Sequence, residues 1–155
     1  MNSERDVAGV PVPPPLIYIA GLAAGGLVEL IRSTTGPPWP VSITIAVVGG
    51  LAWLLLDGSA MARFRRAGTP VIPFQPSTAL VVDGPYRISR NPIYLGMAAL
   101  YVGLAFILGL MWALPFLPLV LLAVDRLVIA REEPYLERKF GQDYVEYKSR
   151  VRRWI

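Results

Sequence analysis

Ile93-Tyr-Leu-Gly-Met-Ala-Ala-Leu-Tyr-Val-Gly-Leu-Ala-Phe-Ile-Leu-Gly-Leu-Met111 runs for nineteen residues without a charge. A helix rises ~1.5 Å per residue, so about 20 apolar residues cross a ~30 Å hydrocarbon core. This stretch nearly reaches that length unaided. It decides the fold class, an all-α integral membrane helix bundle. Three further apolar stretches surround it, at 16–31, 41–56 and 114–130. These need flanking residues, a thinned bilayer or snorkelling Arg side chains to span. Glu29 alone interrupts the first, and Asp125 and Arg126 sit in the last. The count is about four transmembrane helices. The first is read as a membrane helix rather than a cleaved leader, because the lead before it carries Glu4 and Asp6 beside Arg5 and lacks a positive cluster.

Composition agrees. The 155 residues are 54% hydrophobic and 17% charged, below the ~25% charged of an average soluble domain. Mean hydropathy is +0.49. Cysteine is absent, which excludes disulfides, thiolate metal sites and thiol nucleophiles. Histidine is absent too, which excludes a Ser-His-Asp relay, His-ligated metal and the usual neutral-pH proton shuttle. A formal charge of +4 on so apolar a chain points to anionic lipid headgroups rather than nucleic acid.

One domain is expected: a flexible or extended lead over 1–15 with Pro11, Pro13, Pro14 and Pro15, two N-terminal membrane helices over 16–61, and a core over 62–155. Arg63, Arg65, Arg66, Arg87 and Arg90 lie in the connector before the third helix. Arg131, Arg138, Lys139, Lys148, Arg150, Arg152 and Arg153 lie in the tail, against Arg32 alone in the other two connectors. The positive-inside rule puts connector, tail and both termini in the cytoplasm and the protein in the inner membrane. Trp39 and Trp112 then meet the outer interface. Gly21 and Gly25 form a GxxxG step, and Gly49, Gly50, Gly96 and Gly103 add flat surfaces. They either mark close helix approach or reflect the general abundance of Gly in membrane helices. In the tail, Phe140, Tyr144, Tyr147, Val151 and Trp154 recur at helical spacing. Such an amphipathic helix lies aromatic side down on the inner leaflet, or caps the cytoplasmic loops.

Two stretches carry chemistry. The first is Thr78-Ala-Leu-Val-Val-Asp-Gly-Pro-Tyr-Arg-Ile-Ser-Arg-Asn-Pro-Ile-Tyr-Leu-Gly96. Pro70, Pro73 and Pro76 forbid a regular helix before it. Residues 78–82 read as a short extended run ending in the Asp83-Gly84-Pro85 turn. Asn91-Pro92 then starts the third membrane helix, whose free N–H groups suit a carboxylate or carbonyl-like oxygen. The second stretch is Asp125-Arg-Leu-Val-Ile-Ala-Arg-Glu-Glu-Pro134. On one continuous helix a seven-residue step puts Asp125 with Glu132 on one face and Arg126 with Glu133 on another. Ionisable residues inside a membrane helix face a partner or a cavity. Asp125 is either functional or tied to an Arg from the connector, and Glu132 and Glu133 either line a site or are a solvated pair.

Gly84-Pro-Tyr-Arg, Ser89-Arg-Asn-Pro-Ile-Tyr-Leu-Gly96, a membrane hairpin, Arg131-Glu-Glu, Phe140-Gly141 and Tyr144-Val-Glu-Tyr147 together resemble the isoprenylcysteine carboxyl methyltransferase and phospholipid methyltransferase superfamily. The resemblance covers about residues 69–155. It implies an integral membrane enzyme that moves a methyl group from S-adenosylmethionine to a lipid-like acceptor. By position, it assigns the cofactor to Thr78, Ala79, Leu80, Val81, Tyr86, the step Asn91-Pro92-Ile93-Tyr94 with its flanking Arg90 and Gly96, and Glu132. Candidate bases are Glu132, Glu133 and Asp125. The chain departs from the family pattern twice. Asn91 stands where His is usual, so no titrating imidazole serves the site. Val128 stands where carboxyl methyltransferases carry a substrate-binding Arg, for which Arg131 or Arg126 would have to substitute. The alternatives are an NADPH-dependent sterol-reductase-like enzyme and a non-catalytic membrane scaffold.

Overall fold

The computed structural model describes residues 6–72 and 74–155. The expectations placed on Glu4, Arg5 and Pro73 lie outside these. Among the described residues there is no strand; six α-helices, with two short 3-10 segments and one π turn, make the fold. Helix α1 (Pro14–Ile31) starts on prolines, whose missing N–H groups cost nothing in a first turn. Glu29 closes its far end: the carboxylate accepts from the Thr34 hydroxyl at 2.7 Å and from the Trp112 backbone N–H at 3.1 Å. The one acid of the first apolar stretch thus staples a loop at the helix terminus.

Helix α2 (Trp39–Arg66) is longer than its apolar stretch. Its 28 residues extend about 42 Å at ~1.5 Å each, enough to cross a bilayer and emerge. Arg63, Arg65 and Arg66 in the last turn complement the negative end of the helix dipole. Gly68, at φ +63°, takes the left-handed conformation that ends the helix. Its N–H reaches Arg65 O at 3.2 Å, and the Thr69 N–H reaches Phe64 O at 3.1 Å.

Helix α3 (Pro92–Ile107) begins at Pro92 as expected but stops before Met111. The same device ends it: Gly109 at φ +70° donates to Phe106 O, and the Leu110 N–H returns to Ala105 O at 2.8 Å. Its sixteen residues rise about 24 Å. An unbroken apolar run therefore holds a helix and the turn that terminates it. A 3-10 segment (Met111–Phe116) leads into α4 (Leu117–Val124), which passes through a π turn (Asp125–Ile129) into α5 (Ala130–Phe140). Three helices, Pro14–Ile31, Trp39–Arg66 and the continuous Met111–Phe140, are long and apolar enough to cross a membrane; α3 is a shorter apolar helix beside them.

The glycines set the packing. A Cβ on Gly25 would run into the Ala113 backbone, and one on Gly21 into the Val120 side chain, so the GxxxG step is where α1 meets the α4 hairpin. Gly49 and Gly103 likewise let α2 and α3 touch backbone to backbone, whereas Gly50 faces open space. Gly141, at φ +55°, turns the chain into α6 (Gln142–Arg150). The aromatic face of α6 points into the protein rather than down onto lipid: Tyr144 and Tyr147 are buried against Val81, Tyr86 and Ala60. Of the two readings of the tail, the cap is the one the structure adopts. Residues 6–13 of the lead are non-helical and lie against the bundle, with Val10 buried in its core.

Candidate functional site

At the connector end of the bundle a cavity opens between α2, α3, α5, α6 and the two non-helical segments. The cavity has a volume of ≈ 120 Å³ and opens to solvent at its mouth. Each wall has a local cause. The turn at Asp83 is held by the ion pair with Arg63 from the end of α2. The 3-10 turn Gly84–Arg87 then carries Tyr86 inward, where its ring meets Phe64 at 5.8 Å between centroids and its carbonyl accepts from the Tyr147 hydroxyl at 2.8 Å. Ser77 N–H donates to the Tyr135 hydroxyl at 2.9 Å, and Thr78 N–H to Thr69 Oγ1 at 2.9 Å. The connector is thus pinned over the cavity by side chains.

At its centre, the Tyr94 hydroxyl donates to both oxygens of Glu132, at 2.9 and 3.0 Å. Tyr94 comes from the first turn of α3 and Glu132 from α5. Behind them the Tyr18 hydroxyl donates to Tyr94 O at 2.8 Å, which ties α1 to the site.

The π turn decides where the acids point. A π turn takes in one extra residue, so it advances the register of all that follows. Asp125 therefore shares a face with Glu133, not with Glu132 as an uninterrupted helix would have it. Arg153 from the tail spans the two, with Nη1 3.1 Å from Asp125 Oδ1 and Nη2 2.5 Å from Glu133 Oε2. Arg90 Nη2 adds a contact to Glu133 at 3.0 Å. Asp125 is thus ion-paired, and its Arg comes from the tail, not from the connector. The hydrogen bonds that Arg153 donates to Glu133, then to Asp125, raise its pKa and keep it charged, against the opposing cost of burial. Burial first, and Glu133 with it, pushes the Tyr144 phenol up to about 12; burial likewise raises Tyr86 and Tyr147. These phenols stay protonated at neutral pH, and that of Tyr147 donates to Tyr86 O.

Of the residues singled out in the sequence, Ala79, Leu80, Val81, Tyr86, Arg90, Asn91, Ile93, Tyr94, Glu132 and Glu133 line the cavity. The others stand apart from it, each for a visible reason. Thr78 uses its hydroxyl on Gly68 O at 3.0 Å to close the connector loop. Pro92 is buried as the first residue of α3. Gly96 faces α2, where a side chain would collide with Asp57. Asp125 belongs to the Arg153 clamp, and Val128 is fully buried in the core. Arg131 turns outward and donates to Leu127 O at 2.8 Å, and Arg126 is exposed beside Asp125. Asn91 spends its amide on the tail, with Nδ2 donating to Arg153 O at 2.8 Å.

Several cavity residues had escaped the sequence reading. Tyr135 and Leu136 follow Glu132 by one turn of helix, a spacing that would have found them. Tyr144 and Tyr147 were visible as an aromatic face but without its target. Ala8 and Phe64 carried no signal. Outside the cavity lining, Asp57 is buried at the contact of α2 with Gly96, with Oδ2 unpartnered among the described residues, one residue beyond the apolar stretch 41–56.

No solved structure matches this chain. A protein of Haemophilus influenzae described as uncharacterized is 54% identical over 35 residues, which is 23% of this chain and 56% of that protein, so the match spans about half of the relative's length. The sequence profile of phospholipid methyltransferases matches residues 41–143, from the start of α2 into α6. That match covers well over half of the chain and contains Tyr94, Glu132 and the connector between α2 and α3, so the chain belongs to the phospholipid methyltransferase family.

Proposed function

We propose that this protein transfers a methyl group from S-adenosylmethionine to a lipophilic or amphiphilic acceptor at the cytoplasmic face of the inner membrane. The observation that carries the reading is the Tyr94–Glu132 pair inside a single cavity walled by residues 79–81 and Tyr86. The residues fit the cofactor on their own chemistry. Among the described residues, no protein acceptor takes the N–H groups of Ala79, Leu80 and Val81, which leaves them for a ligand's polar edge. Glu132, with its two oxygens on one phenol, keeps lone pairs for ribose hydroxyls or an ammonium group. Phe64, Ile93 and Leu136 supply apolar walls that exclude water.

The bound cofactor supplies a sulfonium-activated methyl group, for which positioning counts for more than acid-base help. That demand suits a chain with no histidine. Glu132 holds the ligand, Tyr94 fixes Glu132, and the Arg153 clamp fixes α5 against the start of α3. An acceptor that must lose a proton would give it to Glu132 or to water. Val128, fully buried, offers no cation for an acceptor carboxylate. Arg and Lys gather at the connector and tail, which supports the cytoplasmic placement of this end.

The test is calorimetry of S-adenosylhomocysteine on the purified protein, followed by labelled S-adenosylmethionine with host lipid extract and mass spectrometry of what gains a CH2. Saturable binding and a methylated lipid are expected. No binding, or binding of NADPH in its place, refutes the reading.

A further inference from the structure

The cavity has two non-helical walls, and they are held differently. The connector is pinned by hydrogen bonds through Tyr135, Thr69 and Thr78. Residues 6–13, which run into α1, are not. Among the described residues, no backbone hydrogen bond joins residues 6–12 to the rest of the protein. Side chains do the holding, and Ala8 packs partly buried against the core. Val10, 5% exposed, sits in the core cluster with Tyr94 and Val128. Asp6 pairs with Lys139 of α5 at 2.7 and 2.8 Å, in an exposed contact. Between them Gly9 bends the chain at φ +63°, and Ala8 forms part of the cavity wall. Two small apolar contacts, Ala8 and Val10, and one surface ion pair make a hold that local opening breaks first.

We propose that residues 6–13 are a movable wall of the cavity through which the lipophilic acceptor enters, with Ala8 bounding the acceptor's space and the Asp6–Lys139 pair as the latch. This rests on the methyltransferase reading. The occupant follows from the chemistry of the two sides. Ala8 and Val10 offer only apolar side chains, and the segment leads straight into α1, where Leu16 and Ile19 are exposed as for a lipid-facing helix. The polar groups, Glu132, Asn91 and the free N–H groups of 79–81, lie on the other elements. A polar cofactor has its partners under the connector, and an apolar acceptor has its way in beneath the strap.

The chain has no cysteine, so Val10→Cys gives it a single thiol whose maleimide labelling reports strap opening. Adding Asp6→Lys should speed labelling by about two- to fivefold, the scale of an exposed ion pair, and adding Lys139→Asp as well should restore the slow rate. Equal rates in all three overturn the latch. Ala8→Trp should leave S-adenosylhomocysteine affinity within about twofold while methyl transfer to host lipid extract falls about tenfold or more. Equal losses of both would put Ala8 at the cofactor's end, and no loss of either would remove it from the site; each result overturns the assignment. If the parent protein fails to bind S-adenosylhomocysteine, the methyltransferase reading falls and the acceptor assignment with it, whereas the labelling rates still decide whether the segment moves.

Discussion

Replacing Arg153 by alanine removes the one side chain that joins Asp125 and Glu133, and its cost can be worked from the contacts. Arg153 reaches Glu133 through Nε at 3.1 Å and Nη2 at 2.5 Å, and Asp125 through Nη1 at 3.1 Å. Hydrogen bonds to charged groups contribute ~1.5–3 kcal/mol each when protected from water. The guanidinium is 35% exposed and Glu133 keeps Arg90, so most of that sum is screened or replaced. A loss of about 2 kcal/mol remains, chiefly from Asp125, whose other partner Arg126 is exposed at 3.8 Å. For a chain of this size about 2 kcal/mol lowers the thermal midpoint by about 4–8 °C. Arg153→Lys should lose about half as much, because an ammonium reaches one carboxylate at a time. The assay is thermal unfolding of the detergent-solubilised protein, followed by tryptophan fluorescence. A midpoint for Arg153→Ala within about 1 °C of the parent would show that the clamp carries no stability.

Tyr94→Phe and Glu132→Gln should each weaken S-adenosylhomocysteine binding by about tenfold or more, the worth of one hydrogen bond to a charged group; calorimetry that finds both affinities unchanged removes Glu132 from the cofactor site. Val128→Arg is expected to cost folding yield, not to change acceptor preference, because a guanidinium there has no exposed path out of the core. A well-folded variant with altered acceptor choice would contradict that. Gly25→Leu should destabilise by about 1–3 kcal/mol through collision with the Ala113 backbone, while Gly50→Leu, facing open space, should be neutral in the same thermal assay.

The bundle was legible in the sequence because burial in lipid writes long apolar runs, and the start of α3 because Asn91-Pro92 has few other uses. The end of α3 was not. Leu108-Gly109-Leu110 is as apolar as the helix before it, and a glycine that terminates a membrane helix looks like one that packs it. The tail's face was legible and its destination was not, since Tyr144 and Tyr147 suit a lipid interface and a protein core equally well. Nor does periodicity show the docking of residues 6–13, which rests on Val10 alone for its buried anchor. Composition at Val128 showed that no Arg is present; only packing shows that no space for one exists.

The two adjacent glutamates show why a short change of helical register matters. Glu132 and Glu133 are neighbours in sequence, identical in chemistry and placed on the same turn of α5. Without the π turn, Asp125 would stand above Glu132, and Arg153 spanning that face would spend the cavity's carboxylate on holding the tail. The extra residue at Asp125–Ile129 moves Asp125 over Glu133, so one acid is consumed by Arg153 and Arg90 while the other, among the described residues, meets only the Tyr94 phenol. A carboxylate paired with two guanidiniums has few lone pairs left for a ligand; one that accepts from a neutral hydroxyl keeps free lone pairs. The division of labour between Glu133 as clamp and Glu132 as proposed ligand holder therefore follows from backbone geometry upstream of both, which no substitution at either position would reveal.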